Sequence, residues 1–365
     1  MKLIDFKLIF LLTFIWFAVP FASKAQFDVP MSLRSQFNGS YDYTIIGNTH
    51  NLADAYAVGS TCQMATSSSS TLNLTPNQNI VAAYLYWCGP GDGTYDPLIN
   101  FNGINYTAQE LSVAQFGQFA IQTYYGAFVD VTSEVISAGN GLYTFSDFDL
   151  TPVLQSFCST SRNYAGWHLV VVYEDQGLPD VQLNVYDGLK GVSFYFNNGN
   201  SDVSIDNLLV NDTTGAELGY VLWGGSPNVY TGFGWPVGET ISINGDTLSN
   251  ALNPPLNPFN STNSFTGSTT NWNMDIDTFD ISSYINIGDT AAQLRLTAVN
   301  HKTLQSVVTY IPSKLPDATV AFNTITGQNL CDNRSLAIDF TALDLKGNAG
   351  LHPLDSHRLC PVGSV

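Results

Sequence analysis

Acidic side chains are the groups in this sequence whose types and spacing could support chemistry. Asp92 and Asp96 flank a turn-like stretch, and Asp275 and Asp277 stand two residues apart in the segment NMDIDTFD. Alternate residues of a strand face the same side, and Ca²⁺ needs six to eight oxygen ligands. These four aspartates are therefore candidates for a calcium site, and no other cofactor is expected. The alternative is that they are loop residues that cap turns.

Paired carboxylates also serve glycosidases, which hold one acid protonated in an apolar niche. The sequence has no Gly-x-Ser-x-Gly elbow, Walker loop, His-Glu-x-x-His or dinucleotide fingerprint. The five histidines are scattered, and His168 lies in the strand-like segment GWHLVVVYE, where we expect a structural role. We predict no catalytic residues, with a glycoside hydrolase or lyase as the alternative.

Aromatic side chains in a glycine-rich loop offer a different kind of site. The segment WGGSPNVYTGFGWPVG, residues 223–238, contains Trp223, Tyr230, Phe233 and Trp235. Aromatic rings on loops can stack on sugar rings at low entropic cost. We predict these four as binding residues, and the alternative is that the rings pack beneath their own loop.

The five cysteines are Cys62, Cys88, Cys158, Cys331 and Cys360. Because five is odd, at least one has no partner within the chain. We predict a disulfide between Cys62 and Cys158, since both flank turn-rich polar segments. We expect Cys88, within the apolar run AYLYWC, to be a buried thiol. Other pairings stay open.

The first 25 residues have the pattern of a signal peptide. Lys2 and Lys7 precede an apolar run at residues 8–22, and Ser23-Lys24-Ala25 offers a cleavage site. The run is shorter than the roughly 20 residues of a membrane span. We expect export to the cell surface or medium, without membrane insertion after cleavage. The alternative is an uncleaved anchor.

The charge balance limits the partners. Twelve Lys and Arg residues against 30 Asp and Glu residues give a net charge of −18. Twelve basic residues are too few to form a positively charged groove along a phosphate backbone. We therefore expect no nucleic acid partner. Anionic membrane surfaces are disfavoured for the same reason.

Strand signals dominate the rest of the chain. Short runs rich in Val, Ile, Tyr and Phe, such as IVAAYLYW and AQLRLTAV, end in Gly, Asn, Asp or Pro. No long segment has a clear helical period. Strands that follow one another without crossover helices predict antiparallel sheets. We therefore predict an all-β protein built from β-sandwich, jelly-roll-like domains.

Segments of the two halves match in the same order. AYLYWCG (83–89) aligns with GYVLWGG (219–225), INFNG (99–103) with ISING (241–245), and VDVTSEV (129–135) with FDISSYI (279–285). This order predicts two tandem, related domains at 26–198 and 199–315, with Trp87 equivalent to Trp223. Chance similarity between β-rich sequences is the alternative.

The same segments carry a resemblance. VAAYLYWCGPGDG, YAGWHLVVVYEDQGLPDVQLNVYDGL and NMDIDTFDISSYINIGDTAAQLRLT resemble the amino-terminal region of large secreted surface proteins of Bacteroidota. The resemblance covers residues 62–339 and extends, less closely, to a surface-protein domain of unknown function. It implies cargo of type IX secretion, often associated with gliding motility. Residues 316–345 look like the start of an immunoglobulin-like domain, so we expect 316–365 to hold its truncated start and a disordered tail.

Together these features predict a secreted or cell-surface interaction module that is not an enzyme and has a role in adhesion. A glycan or a cell-surface protein is the expected partner. The alternatives are a carbohydrate-active enzyme or carbohydrate-binding protein on a jelly-roll scaffold, and a structural spacer.

Overall fold

Short strands separated by turns make up most of the chain that the structure describes. The structure is a computed structural model and describes residues 26–57, 60, 63–116, 122–158, 162–194, 198–228 and 238–313. The strands up to residue 174 are β1 (Gln26–Phe27), β2 (Val29–Gly39), β3 (Tyr41–Thr49), β4 (Ser67–Leu72), β5 (Asn79–Gly91), β6 (Leu98–Phe101), β7 (Ile104–Thr107), β8 (Glu110–Phe116), β9 (Gln122–Asp130), β10 (Gly141–Ser146) and β11 (Gly166–Glu174). The later strands are β12 (Val181–Val192), β13 (Asn200–Asp206), β14 (Glu217–Trp223), β15 (Thr240–Ile243), β16 (Asp246–Thr247), β17 (Met274–Asp280), β18 (Ala291–Thr297) and β19 (Lys302–Pro312). Two short helices, α1 (Thr132–Ala138) and α2 (Thr151–Cys158), lie among the earlier strands.

The strands form four sheets that pair into two sandwiches. The first inner sheet has the order β1-β8-β9-β5-β11-β3, and the first outer sheet has the order β4-β10-β6-β7. The second inner sheet is β17-β14-β19-β12-β2, and the second outer sheet is β13-β18-β15-β16. Neighbouring strands run antiparallel except for β1 and β8. The prediction of an all-β sandwich fold is confirmed.

Three hydrophobic cores show how the sheets are layered. Leu85 and Phe145 belong to the core between the first inner and outer sheets, and Leu222 and Leu294 belong to the corresponding core of the second sandwich. A third core, which we call the central core, joins the two inner sheets through residues such as Val170 and Val308. The order of layers is therefore outer, inner, inner, outer.

This layering explains why the strands differ in sequence pattern. In the outer strand β13, exposed and buried residues alternate along the whole strand, as expected for a sheet with one wet face. In the inner strand β11, eight consecutive residues from Gly166 to Tyr173 are buried. Both faces of the inner sheets are covered, so these strands are apolar on both sides.

The sheet topology confirms the internal repeat. The inner order β9-β5-β11-β3 corresponds to β17-β14-β19-β12, and the outer order β4-β10-β6-β7 corresponds to β13-β18-β15-β16. The hairpins β6-β7 and β15-β16 turn at Asn102-Gly103 and Asn244-Gly245. All four of these residues have positive φ, with values of 52°, 86°, 53° and 98°, which is the usual reason for Asn-Gly in a two-residue hairpin turn.

The predicted equivalence of Trp87 and Trp223 is wrong. The amide of Val131 donates to the carbonyl of Ala83, and the amide of Ile281 donates to the carbonyl of Ala216. Ala83 therefore corresponds to Ala216, not to Gly219, and the sequence alignment of β5 with β14 is displaced by three residues. Because an odd displacement moves a side chain to the opposite face, Trp87 lies in the core of the first sandwich, whereas Trp223 lies in the central core.

Strand pairing crosses the predicted limit between domains 26–198 and 199–315. Strands β2 and β12 precede residue 198, yet both belong to the second inner sheet, where β12 lies between β2 and β19. The described residues, the last of which is Ser313, belong to one unit. The predicted signal peptide at 1–25 and the predicted immunoglobulin-like remnant and tail at 316–365 lie outside the described residues.

Candidate ligand-binding cavity

A cavity of about 300 Å³ opens where strands of the two inner sheets meet. Strands β2 and β12 of the second inner sheet supply Arg34 and Asp187, and strands β8 and β9 of the first supply Glu110 and Phe128. The two sheets approach closely here, and glycine at position 126 permits this approach. A Cβ atom at Gly126 would lie only 2.7 Å from the side-chain nitrogen of Gln305 in the facing sheet. The cavity therefore depends on the packing of one sandwich against the other.

Arg34 organises the polar side of this cavity. Its Nε donates to Oδ2 of Asp187, and its Nη2 donates to Oε2 of Glu110 at 2.8 Å. The guanidinium carbon lies 3.6 Å from the centroid of the Phe128 ring, within the range of a cation–π contact. The side chains of Arg34, Asp187 and Glu110 are 18%, 10% and 57% exposed, so Glu110 forms the rim.

The electrostatics of the cavity follow from this burial. Desolvation raises the pKa of Asp187, although the hydrogen bond and charge of Arg34 act in the opposite direction. Tyr86 donates its hydroxyl to Oδ2 of Asp187 at 2.8 Å. Burial, followed by the charge of Asp187, raises the pKa of Tyr86. The phenol thus stays protonated and keeps Asp187 supplied with a second donor.

The two carboxylates at this opening can accept hydrogen bonds from a hydroxylated ligand, and the guanidinium beside them can only donate. Asp187 uses Oδ2 for Arg34 and Tyr86, and Glu110 uses Oε2 for Arg34, so each keeps one oxygen without a donor from the described residues. Two carboxylates of unequal burial are also the minimum that a glycosidase needs. The geometry is compatible with binding of a hydroxylated ligand. It also identifies Asp187 and Glu110 as the carboxylates to test for glycoside hydrolysis.

The sequence gives little warning of this site. Arg34, Glu110 and Asp187 are far apart in the chain and share no motif. The pairing of β2 with β12 brings Arg34 beside Asp187, and the packing of the second inner sheet on the first brings Glu110 to both. The one available signal is a charged residue, Asp187, in the otherwise uncharged strand segment LNVYDGL, since buried charges are usually paired.

The aspartates predicted for calcium lie in two separate environments. Asp275 and Asp277 are fully buried. Oδ1 of Asp275 accepts from the amides of Ser261 and Thr262, and Asp277 accepts from the hydroxyls of Thr262 and Ser264. Three of the four carboxylate oxygens therefore accept from protein donors, and Oδ2 of Asp275 has no donor among the described residues. Calcium binding at Asp275 and Asp277 stays a prediction.

Asp92 and Asp96 lie on the loop after β5. Oδ2 of Asp96 accepts from the amide of Asp149 at 2.7 Å, and Oδ1 accepts from the amide of Leu98 at 3.1 Å. Asp92 accepts from the amide of Thr94. These are turn-capping contacts, and within the described ranges no group of three or more His, Cys, Asp or Glu residues is arranged to hold a metal ion. Calcium binding at Asp92 and Asp96 stays a prediction.

Trp223 does not offer its ring to a ligand. It is fully buried in the central core, and its indole nitrogen donates to Gln305 at 2.8 Å. The assignment of this residue as a binding residue is therefore corrected: its ring anchors the start of the loop by packing. The other predicted binding residues, Tyr230, Phe233 and Trp235, lie outside the described residues.

Two of the cysteines can be placed. Cys88 is a buried free thiol, as predicted, and burial raises its pKa. Cys158 is not a free thiol. Its predicted partner, Cys62, lies outside the described residues, so the pairing of these two stays a prediction.

Comparison with known proteins adds no family assignment. No protein-family model matches the chain, and no curated protein matches it. In the part of the chain that the structure describes, no helix has the length and hydrophobicity needed to span a membrane.

Proposed function

We propose that this protein is a secreted or cell-surface interaction module that is not an enzyme and contributes to adhesion. The observation that carries the proposal is the central core, which joins two repeated sandwiches face to face. A rigid block of this kind can present one surface at a fixed orientation to a partner, which is what an adhesive module requires.

Hydrogen bonds across the central core reinforce the apolar packing. His168 contacts the hydroxyl of Ser306 at 2.8 Å, and Tyr164 contacts the hydroxyl of Thr303 at 2.9 Å. Gln305 donates to the carbonyl of Trp87 at 3.1 Å. Each pair joins a strand or loop of the first sandwich to β19 of the second. Fully buried polar contacts fix one arrangement of the layers, because leaving them unpaired is costly.

Exposed apolar side chains on and beside the first outer sheet support a contact role. Leu98, Ile104 and Leu142 are 58%, 48% and 63% exposed, and Ile136 on α1 is 53% exposed. Exposed apolar residues on one outer side of a protein can mark an interaction site. We infer that this outer side of the first sandwich, together with the cavity at Arg34, contacts a glycan or a cell-surface protein. Repeated display of such modules would supply avidity.

Adhesion is tested with beads coated with the mature chain, residues 26–365, and mixed with whole cells of the producing organism. We expect coated beads to retain cells more than uncoated beads do. The double variant Leu98→Asp/Leu142→Asp should reduce retention, whereas Ile287→Asp, at a residue 73% exposed in the second sandwich, should not. Equal retention by coated and uncoated beads would contradict the proposal and favour a structural spacer.

A carbohydrate-active enzyme is the second candidate, and the carboxylates of Asp187 and Glu110 on one guanidinium favour it. Incubation of the protein with neutral oligosaccharides, followed by measurement of new reducing ends, separates the two. We expect no hydrolysis. Turnover that disappears in Glu110→Gln would replace the binding function with an enzymatic one.

A further inference from the structure

We propose that the cavity at Arg34 binds a single neutral sugar residue, such as the terminal residue of a glycan, by hydrogen bonds to the carboxylates of Asp187 and Glu110. This inference rests on the proposed interaction function and names its ligand class. It assigns binding to residues other than those of the segment 223–238, which the sequence analysis predicted.

The spare hydrogen-bonding capacity of the cavity points to hydroxyl donors. Asp187 and Glu110 each retain one carboxylate oxygen that accepts from no protein donor within the described chain. The hydroxyls of Ser32 and Ser112 line the same space. The cavity thus offers two carboxylate acceptors beside serine hydroxyls and the Nη1 donors of Arg34, and the hydroxyls of a sugar ring, which both donate and accept, match this mixture. Hydrogen bonds to ionised carboxylates are among the stronger ones in proteins.

The negative charge of the cavity favours neutral sugars over acidic ones. The carboxylates of Asp187 and Glu110 outnumber the one guanidinium, and both nitrogens that Arg34 directs to them are already engaged. An anionic sugar or a phosphate would meet excess negative charge at the opening, in a protein with a net charge of −18. The cavity therefore favours an uncharged ligand over an acidic one.

Neither aromatic ring that lines the cavity is free to stack on a sugar. Tyr86 is 1% exposed and stacks on His168. The guanidinium of Arg34 covers the Phe128 ring at 3.6 Å. Recognition must then come from polar contacts, with the apolar parts of Val29 and Leu33 forming a wall. A cavity of about 300 Å³ is at the small end of ligand pockets, which suits one ring and not an extended chain.

Saturation-transfer NMR on the mature chain tests the inference with free glucose, galactose, mannose and N-acetylglucosamine as probes and glucuronic acid as the acidic control. We expect at least one neutral sugar to bind and glucuronic acid not to bind. Glu110→Gln, at an exposed rim position, should weaken binding about tenfold through loss of a charge-assisted hydrogen bond. The matched variant Glu134→Gln, at a half-buried carboxylate on α1 that does not line the cavity, should leave binding unchanged.

Absence of binding by all four neutral sugars would overturn the inference, as would binding that is equally strong in Glu110→Gln and the unmodified protein. Asp187→Asn provides a second variant and should abolish binding; its thermal midpoint shows whether it is folded. If coated beads still retain cells while no sugar binds, the adhesion function stands and only the sugar assignment fails. If sugar binds but beads retain no cells, the cavity assignment stands and adhesion fails.

Discussion

The indole nitrogen of Trp223 donates a hydrogen bond to the side-chain oxygen of Gln305 at 2.8 Å, inside the central core. The side-chain nitrogen of the same glutamine donates to the carbonyl of Trp87 in the first inner sheet at 3.1 Å. Gln305 therefore bridges the two sandwiches and satisfies the buried indole at the same time.

The first prediction concerns this bridge. Gln305→Leu preserves most of the side-chain volume but leaves the buried indole nitrogen of Trp223 without an acceptor. We expect a loss of about 1–3 kcal/mol in the free energy of unfolding, measured by urea denaturation. Gln293→Leu, at an exposed position of β18, should change it by less than about 0.5 kcal/mol. Equal stability of both variants would show that the bridge is not needed.

The second prediction concerns Asp275. Burial, and then the charge of Asp277, raises the pKa of Asp275 well above its ordinary value of 3.8. The folded protein retains a proton that the unfolded chain releases, so the stability contributed by this group is complete below pH 3.8 and is lost as the pH rises through the raised pKa.

Asp275→Asn should therefore gain stability relative to the unmodified protein as the pH increases, in thermal melts between pH 4 and 8. The exposed control Asp246→Asn should show no such trend. A difference between Asp275→Asn and the unmodified protein that stays constant over the whole range would mean that the folded and unfolded pKa values of Asp275 are equal.

The third prediction concerns His168, which stacks on Tyr86 with ring centroids 4.8 Å apart. Burial lowers the pKa of His168 to about 3 from its ordinary value of 6.5. Here the unfolded chain binds the extra proton, so the contribution is complete above pH 6.5 and is lost as the pH falls toward 3, at about 1.4 kcal/mol per pH unit. His168→Gln, which can still reach Ser306, should flatten the acid side of the stability profile. An unchanged slope below pH 6.5 would contradict this.

The fourth prediction concerns calcium at Asp92 and Asp96. If the ion binds there, the thermal midpoint should be higher in excess calcium than in chelator, because a ligand that binds only the folded state stabilises it. Asp96→Asn should remove that difference, whereas Asp275→Asn should not. Identical midpoints with calcium and with chelator would exclude the metal.

Much of the fold could be predicted because local patterns specify it. Alternation in outer strands such as β13 and the Asn-Gly turns at 102–103 and 244–245 identify strands and hairpins directly. The order of matched segments also gave the repeat. The face of β14 could not be predicted: Leu218, Tyr220 and Leu222 on one side and Val221 and Trp223 on the other are all buried. A strand that is apolar on both faces carries no alternation to fix its alignment.

The candidate site was less accessible to prediction for a different reason. Arg34, Glu110 and Asp187 meet only because β2 joins the second inner sheet and that sheet packs on the first. No spacing in the sequence encodes a contact between layers. Residues of the segment 223–238 were predicted to bind a ligand because their aromatic rings are close in sequence. The first of these rings, Trp223, belongs to the central core.

Hydrogen exchange on Val308→Ala tests the central claim, that the two sandwiches share one core, most directly. Val308 is fully buried in the central core, and removing two methyl groups there should lower the opening free energy of the whole block. We predict equal loss of amide protection in β11 of the first sandwich and β14 of the second. Loss confined to β14, with β11 as protected as in the unmodified protein, would contradict the account.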